Sequence, residues 1–485
     1  MITRILVSVD RFETRVAITE GDRVTECHIE RRGYRSVVGH VWKGRVENVL
    51  AGMEAAFVDV GLEKGGFLHI DEVVAIGVPK RRRQIADLLK KGDEIIVQAT
   101  KDPMGTKGAR LSMQLSIAGR FLVYVPYGSG IGVSKRLDEA ERDRLRDICA
   151  RLNVGTGGLI VRTQAAGASA RELERDMMLL RRLWEALLAR AELVKAPALL
   201  YSEADRSLKV IRDLFGEHVD EVLVDDEAQY ERILSFLGRT SPELADRVRY
   251  YNGQTPLMEA YGVDTALRST LEKRVDLPSG GSLIIEDTEA MTVIDVNSGR
   301  HVGRGNTTLE ETITKTNLEA AAEVVRQLRL RDIGGIVIID FIDMNEQRNR
   351  TAVRQALEHA LEKDRAKSYV VDISPLGLVE MTRQNISDGP REIMTVICPE
   401  CGGDGVIASD ETYAIEVERA LRRELARRPD KAFAVALNPR IAEFVAGEDD
   451  AGLDEIEGET GKRLRLEPDP GFAPGEMRLT PIPGR

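Results

Sequence analysis

Over the first 35 positions apolar and polar residues alternate in three short runs, Ile2–Val9, Thr14–Thr19 and Val24–Ile29. A period of two is that of strands, so the pattern predicts a β-meander. Residues 36–112 continue in strand-like runs punctuated by glycine: Val41–Val46, Glu54–Val60, Gly66–Ile70 and Glu94–Thr100. A basic stretch that suits a helix, Lys80 to Lys91, interrupts them. Some five short strands in so little chain predict a small closed barrel of the oligonucleotide-binding kind.

Beyond Gly119 the period changes. Helices are predicted over 137–152 and 171–195, and 205–270 reads as mixed. Two apolar strand regions, 282–296 and 335–341, flank a helix at 308–330, a strand–helix–strand unit whose sheet is parallel or mixed. Asp343 to Lys363 predicts a charged amphipathic helix. A helix at 411–427 and a short α/β tail close the chain. The class is therefore multidomain α/β and α+β.

Composition narrows this picture. The 485 residues suffice for two to four domains. No apolar run is long enough for a membrane helix, and the N-terminus is too short and charged for a secretion signal. Four cysteines make no disulfide framework, so a cytoplasmic, reducing location is expected. Net charge −11 argues against a nucleic-acid partner. Its distribution softens the argument. Arg31–Lys135 holds 17 Lys/Arg against 10 Asp/Glu, whereas Ile441–Arg485 holds 11 acidic against 5 basic residues, so the front can still bind an anion.

Two carboxylates stand out. In Gly280–Arg300 the pattern is strand, turn, strand, and Asp295 and Asn297 lie two apart on one face while Ile294 and Val296 point to the core. Asp340 ends an apolar run read as a buried strand, where an unpaired carboxylate is costly. Aspartates on neighbouring strands can hold one Mg²⁺, with water completing its octahedron. Spacing alone equally allows them to cap the following turn or helix. Cys398-Pro-Glu-Cys401-Gly-Gly-Asp-Gly405 has the form of half a zinc knuckle. Cys27 and Cys149 stand alone, so a second protomer donating its own pair is the simplest completion. A redox dithiol is disfavoured because no thioredoxin-like helix start follows. Phe57 and Phe67 fall on adjacent strands near Lys43, Arg45 and Lys64. They are either a base-stacking face or core residues, and composition alone favours the core.

Three segments decide between these readings: Thr288-Glu-Ala-Met-Thr-Val-Ile-Asp-Val-Asn-Ser-Gly299, Arg326-Gln-Leu-Arg-Leu-Arg-Asp-Ile-Gly-Gly335 and Ile339-Asp-Phe-Ile-Asp-Met344. They resemble the catalytic domain of the ribonuclease E/G family, and the resemblance covers nearly the whole chain. It implies an RNase H-like domain (1–35 plus 208–270) without catalytic residues and an S1-type barrel (36–112). A 5′-monophosphate sensor (113–207) and a DNase I-like catalytic domain (271–394) follow. A zinc-link (395–409) and a small C-terminal domain (410–485) complete the chain. By the same resemblance Asp295 and Asp340 bind the catalytic Mg²⁺ and Asn297 supports them. Phe57, Phe67 and Lys107 contact RNA, and the last lies in Lys101–Leu111, which also matches. Gly119, Val123, Arg162 and Thr163 form the 5′-phosphate pocket. Cys398 and Cys401 share a structural Zn²⁺ between chains. Gln164, Lys135-Arg136, Lys367 and Asn385 depart from the family's usual residues.

The implied activity is Mg²⁺-dependent endonucleolytic hydrolysis of single-stranded, A/U-rich RNA, leaving 5′-phosphate and 3′-hydroxyl ends and stimulated by a 5′-monophosphate. The implied partners are rRNA precursors, tRNA precursors and mRNA, and the assembly is a homodimer, with pairing into a tetramer left open. The short chain after the zinc-link, and Ser374–Arg383, make it more G-type than E-type. A non-catalytic RNA-binding or ribosome-assembly protein of the same fold is the alternative, and intact Asp295, Asn297 and Asp340 speak against it. A small-molecule phosphoesterase is disfavoured by the aromatic, basic barrel.

Overall fold

Strands β1 (Thr3–Val9), β2 (Glu13–Glu20) and β3 (Arg23–Arg31) form the expected antiparallel meander in this computed structural model. The structure describes all residues except 1, 32–35, 76–82, 104–106, 153, 156, 217, 300–308, 375–376, 385–388, 448–450 and 484–485. Asn385, Arg300, the basic residues 80–82 and the middle of the Lys101–Leu111 segment therefore lie outside the described residues. The chain divides into two compact units, Met1–Met394 and Thr395–Arg485.

After the meander come β4 (Val41–Leu50), β5 (Ala55–Asp59), β6 (Gly66–His69), β7 (Glu94–Lys101) and β8 (Arg110–Ser112). They run in the order β4-β5-β6-β8-β7, and β7 pairs back onto β4, which closes a five-strand barrel. Trp42, Val58, Leu68, Val97 and Leu111 fill it. The helix expected at 80–91 is, among the described residues, a single turn, α1 (Ile85–Leu88). Only Ile85 is buried there, and the remaining positions lack an apolar stripe to extend the helix.

Strands β9 (Ile117–Ala118), β10 (Leu122–Val125), β11 (Ile131–Val133) and β12 (Gly158–Val161) make a four-strand sheet, order β11-β12-β10-β9. Helices α2 (Glu139–Ala150) and α3 (Ala170–Leu193) pack on it through Leu145, Leu173 and Met177. Each starts where its sequence carries a cap: Asp138 accepts from the Glu141 N–H, and Ser169 and Glu172 form a reciprocal capping box. Strand β13 (Ala198–Tyr201) then adds to the barrel beside β4.

Helix α4 (Arg206–Leu214), β14 (Glu221–Val224), α5 (Glu227–Thr240) and β15 (Val248–Tyr250) return to the meander. They complete a sheet of order β15-β14-β1-β2-β3 in which β14 runs parallel to β1. Short helices α6 (Leu257–Ala260) and α7 (Val263–Ser269) lead into the next sheet.

That sheet contains β16 (Arg274–Asp276), β17 (Ser282–Asp287), β18 (Met291–Asn297), β19 (Gly335–Asp340), β20 (Ser368–Ile373) and β21 (Leu378–Arg383), in the order β16-β17-β18-β19-β21-β20. It is mixed: β18 and β19 are parallel and the other neighbours antiparallel. The crossover between the parallel pair is α8 (Leu309–Arg331), followed after β19 by α9 (Gln347–Leu361). Both helices pack on one face, against Ile294, Val296, Val337 and Ile339. The other face is open, and Ile336 and Tyr369 on it are exposed. A short helix, α10 (Pro390–Met394), ends this unit.

The second unit has α11 (Asp410–Arg427), β22 (Ala432–Leu437), α12 (Pro439–Ala446), α13 (Ala451–Thr460), β23 (Arg463–Pro468) and β24 (Met477–Pro481). Its three-strand sheet, order β23-β22-β24, is centred on Phe433 and Val435. No helix among the described residues is long and apolar enough to cross a membrane.

The seam between β3 and α8 is ionic. Glu26, buried on β3, accepts from Arg329 Nη2 at 3.0 Å and pairs with Arg365, while Arg326 donates to the Val24 carbonyl at 2.9 Å. Burial opposes the charge on Glu26, but the hydrogen bond with His28 and the fields of Arg365 and Arg329 outweigh it and hold the carboxyl far below its usual range. Glu26→Gln takes from Arg365 its carboxylate and leaves Arg329 with Glu20 alone, so it should lower unfolding stability by about 3 kcal/mol at pH 7. A depressed folded-state pKa contributes stability above the ordinary carboxylate range and loses it on acidification. The gap between wild type and Glu26→Gln in urea unfolding should therefore narrow below about pH 4. A gap that does not change with pH would contradict this account of the seam.

Candidate active site and RNA-facing surfaces

Parallel pairing of β18 and β19 places Asp295 directly beside Asp340. Directly paired residues share a face, and here it is the open one. Ile294 and Ile339, one position earlier, are fully buried beneath. Asp340 is thus not at the end of a buried strand. On β19 the positions alternate, with Val337 and Ile339 inside and Ile336 and Asp340 exposed, because only one sheet face is covered.

Asn297 donates from Nδ2 to Asp295 Oδ2 at 2.7 Å, as their shared face predicts. Gly299, at φ +65°, turns the chain immediately afterwards. A Cβ there would meet the Gly280 carbonyl oxygen at 2.1 Å, so a side chain would force the strand end apart. The Asp340 side is fixed from below. Asn317, fully buried on α8, donates to the Ile342 carbonyl at 2.8 Å and accepts the Ile342 N–H at 3.1 Å. A mid-helix asparagine on an apolar stripe is the sequence signal of such a clamp, and the spacing of the acidic residues does not carry it. Partial burial, then Asp295 and Asp343, push the Asp340 carboxyl above its usual range. Two adjacent acids with an amide orienting one of them form an oxygen-donor set with excess negative charge. That set suits a hard divalent cation such as Mg²⁺.

On the barrel, Phe57 and Phe67 are directly paired on β5 and β6, edge to face, with centroids 6.0 Å apart. Neither belongs to the barrel core, and Phe57 is exposed. The core reading of these rings fails because Ala56, Val58 and Leu68 take the inward positions. The cations differ from expectation as well. Lys43 pairs with Glu94 at 2.9 Å and donates to the Val194 carbonyl, and Arg45 donates to the Ala196 carbonyl, so both secure the segment before β13. Arg110 is the partner of Phe67 in register, which puts a cation on the strand beside the rings. Lys107 is exposed just ahead of it.

The four residues expected to form a pocket cluster on one sheet. Val123 pairs with Ala118 across the β9–β10 turn, and Gly119, next to Ala118, donates its N–H to the Leu122 carbonyl. Arg162 follows β12 and donates from Nη1 to the Gly119 carbonyl at 2.7 Å. Thr163 shares a hydroxyl hydrogen bond with Ser134 at 2.9 Å. Buried Asp176 on α3 accepts the backbone N–H groups of Arg120, Phe121 and Leu122, at 2.9–3.2 Å, and so shapes the Gly119 turn. A Cβ at residue 119 would lie 2.5 Å from that carboxylate. Of the two departures here, Gln164 bonds the Asp213 carbonyl and Arg136 bonds the Arg365 and Ala366 carbonyls.

In the second unit Cys398 and Cys401 lie in a glycine-rich turn ahead of α11, not on its first turn. Gly402 and Asp404 N–H groups bond the carbonyls of Cys398 and Cys401. Backbone N–H groups of Gly405 and Gly403, then the Cys398 thiol, lower the Cys401 pKa. Cys27 and Cys149 are buried in other cores, where burial raises their thiols to about 12 and about 11.

Comparison with known proteins agrees with this geometry. The profile of the Ribonuclease E/G family matches residues 116–386, and that of the "RNase E/G, Thioredoxin-like domain" matches 397–482. Ribonuclease G of Escherichia coli (strain K12) is 40% identical over 479 residues, spanning 97% of this chain and 98% of that protein. Ribonuclease G of Salmonella typhimurium (strain SL1344) matches to the same extent. Ribonuclease E of Haemophilus influenzae is 37% identical over 97% of this chain and 50% of its own length. The chain belongs to the ribonuclease E/G family.

The exposed ring pair yields a direct test. Phe57→Ala should weaken binding of single-stranded RNA, by anisotropy, by about 1–3 kcal/mol for each base unstacked. Folding should change little, because the ring contributes nothing to the barrel core. Unchanged RNA affinity would remove the rings from the binding surface.

Proposed function

We propose that this chain is a Mg²⁺-dependent endoribonuclease that hydrolyses single-stranded, A/U-rich RNA in the cytoplasm and is stimulated by a 5′-monophosphate. The observation that carries the reading is the register of Asp295 against Asp340 on an open sheet face, in a chain homologous throughout to ribonucleases G and E. In this reading the substrates are rRNA precursors, tRNA precursors and mRNA. The sheets correspond, in this reading, to RNase H-like, S1-type, sensor and DNase I-like domains.

Asp295 and Asp340 would hold the ion, and Asn297 fixes the Asp295 carboxylate through its amide. When bound, Mg²⁺ supplies Lewis acidity to the phosphodiester and makes a water more acidic. Water attack on phosphorus breaks the P–O3′ bond, leaving the hydroxyl on the new 5′-phosphate and the proton on O3′. The open face admits an extended strand, and Phe57 and Phe67 offer rings to unpaired bases, which a duplex would keep stacked. Arg162, Thr163 and the Gly119 turn would receive a terminal phosphate by charge-assisted hydrogen bonds.

The cysteine turn supports a Zn²⁺ shared between two chains, Cys398 and Cys401 from each. One chain offers two thiolates where a structural zinc takes four ligands. Val396, Ile397 and Val406, all strongly exposed, flank the turn and suit burial against a second copy.

Asp295→Asn or Asp340→Asn should abolish cleavage, at least about a thousandfold, while RNA affinity stays near wild type, since each removes a metal-binding charge and leaves the groove. Substantial Mg²⁺-dependent cleavage by both variants would sink the assignment. For the assembly, elemental analysis with sedimentation should find one zinc per two chains. Joint replacement Cys398→Ser and Cys401→Ser should release it and favour monomer on dilution. A stable monomer carrying one zinc per chain would rule out sharing.

A further inference from the structure

The guanidinium of Arg162 is held by a residue from outside its own sheet. Asp213, in the last turn of α4, presents Oδ1 to Arg162 Nη2 at 2.8 Å and to Arg212 Nε at 2.8 Å. Arg212 is in turn anchored, by Glu203 at 3.0 Å and by the Ala118 carbonyl at 3.3 Å. The backbone of Asp213 is tied down too, since Gln164 Nε2 donates to its carbonyl at 2.6 Å. Arg162 Nη1 meanwhile bonds the Gly119 carbonyl. Both terminal nitrogens of Arg162 are therefore engaged, and its remaining N–H groups have no partner among the described residues. Burial alone would raise the Asp213 carboxyl, but Arg212 and Arg162 outweigh it and hold it ionised.

We propose that Asp213 is a positioning residue for 5′-end recognition, fixing the Arg162 guanidinium in the orientation that grips a terminal monophosphate. This rests on the reading of Arg162 as part of the 5′-phosphate pocket. The physical basis is preorganisation. A free arginine loses rotamer freedom when it clamps a phosphate, whereas an arginine already ordered by a carboxylate does not lose it again. Sharing Asp213 with Arg212 matters as well. With Glu203 on Arg212 the four groups are formally neutral, but Asp213 divides its Oδ1 between two guanidinium groups, so Arg162 meets only part of that charge and keeps attraction for an anion.

The test is the ratio of KM for a 5′-hydroxyl oligoribonucleotide to KM for its 5′-monophosphate counterpart, measured with Mg²⁺ for wild type, Asp213→Asn, Asp213→Glu and Arg162→Ala. Asp213→Asn preserves shape and an acceptor but removes the charge. Its ratio should fall by about three- to tenfold, the range for releasing one ordered side chain, with kcat for the two substrates moving together. Asp213→Glu should recover part of the ratio, which a purely structural role would not give. If Arg162→Ala loses the preference and Asp213→Asn keeps it, the positioning role is wrong while the sensor stands. If Arg162→Ala itself keeps the preference, the sensor reading fails and this inference with it. An equal rise in both KM values for Asp213→Asn, with the ratio intact, also overturns it.

Discussion

Parallel strands cannot be joined by a tight turn, and the pairing of β18 with β19 shapes everything around it. It demands a long crossover, which α8 supplies, and that helix must cover one face of the sheet. The opposite face is then free, and every second residue on the two strands reaches it. In this register Asp295 and Asp340 become neighbours, although 44 intervening positions separate them in the chain (340 − 295 − 1). A one-residue slip of either strand would send one carboxylate into the aliphatic core. Apolar burial of Ile294, Val296, Val337 and Ile339 is what prevents that slip, so core packing and site geometry are the same constraint.

Polar groups reaching across elements then fix what the sheets alone would leave loose. Asn317 ties α8 to the chain just past Asp340, and Glu26 ties the same helix to β3. Asp176 shapes the Gly119 turn from α3. Each is buried and each satisfies donors that would otherwise be orphaned. Such groups are costly unless fully paired, which favours one arrangement over its near alternatives. Helix α8 is thus tied at two places, by Asn317 beside the end of β19 and by Arg326 and Arg329 to the N-terminal sheet.

Sequence pattern and structure agree best where the information is local. The period of two placed Asp295 and Asn297 on one face, and the strand–helix–strand pattern anticipated α8 within a residue or two. Caps at Asp138 and Ser169 mark helix starts that periodicity alone had blurred. Failures arose where the outcome depends on which face is covered. Asp340 reads as buried because its strand is aliphatic, and composition alone favours the core for the two phenylalanines, which only the family resemblance puts on the surface. Lys43 and Arg45 were expected beside the rings but serve Glu94 and carbonyls near β13, a strand more than 150 positions away. Asp176 and Asp213 left no sequence signal at all. An aspartate in a helix is ordinary, and only the fold brings it to a backbone turn or an arginine.

The central claim is that the two paired aspartates support metal-dependent hydrolysis of an RNA strand. The most direct measurement is the chemistry of the ends. A single-stranded A/U-rich oligoribonucleotide is incubated with the wild-type protein in Mg²⁺ or in EDTA, and the products are read by mass spectrometry. The account predicts cleavage in Mg²⁺ alone, with a 5′-phosphate on one product and a 3′-hydroxyl on the other. Cleavage that persists in EDTA, or products ending in a 2′,3′-cyclic phosphate, would mean that the 2′-hydroxyl attacks instead of water and would contradict it.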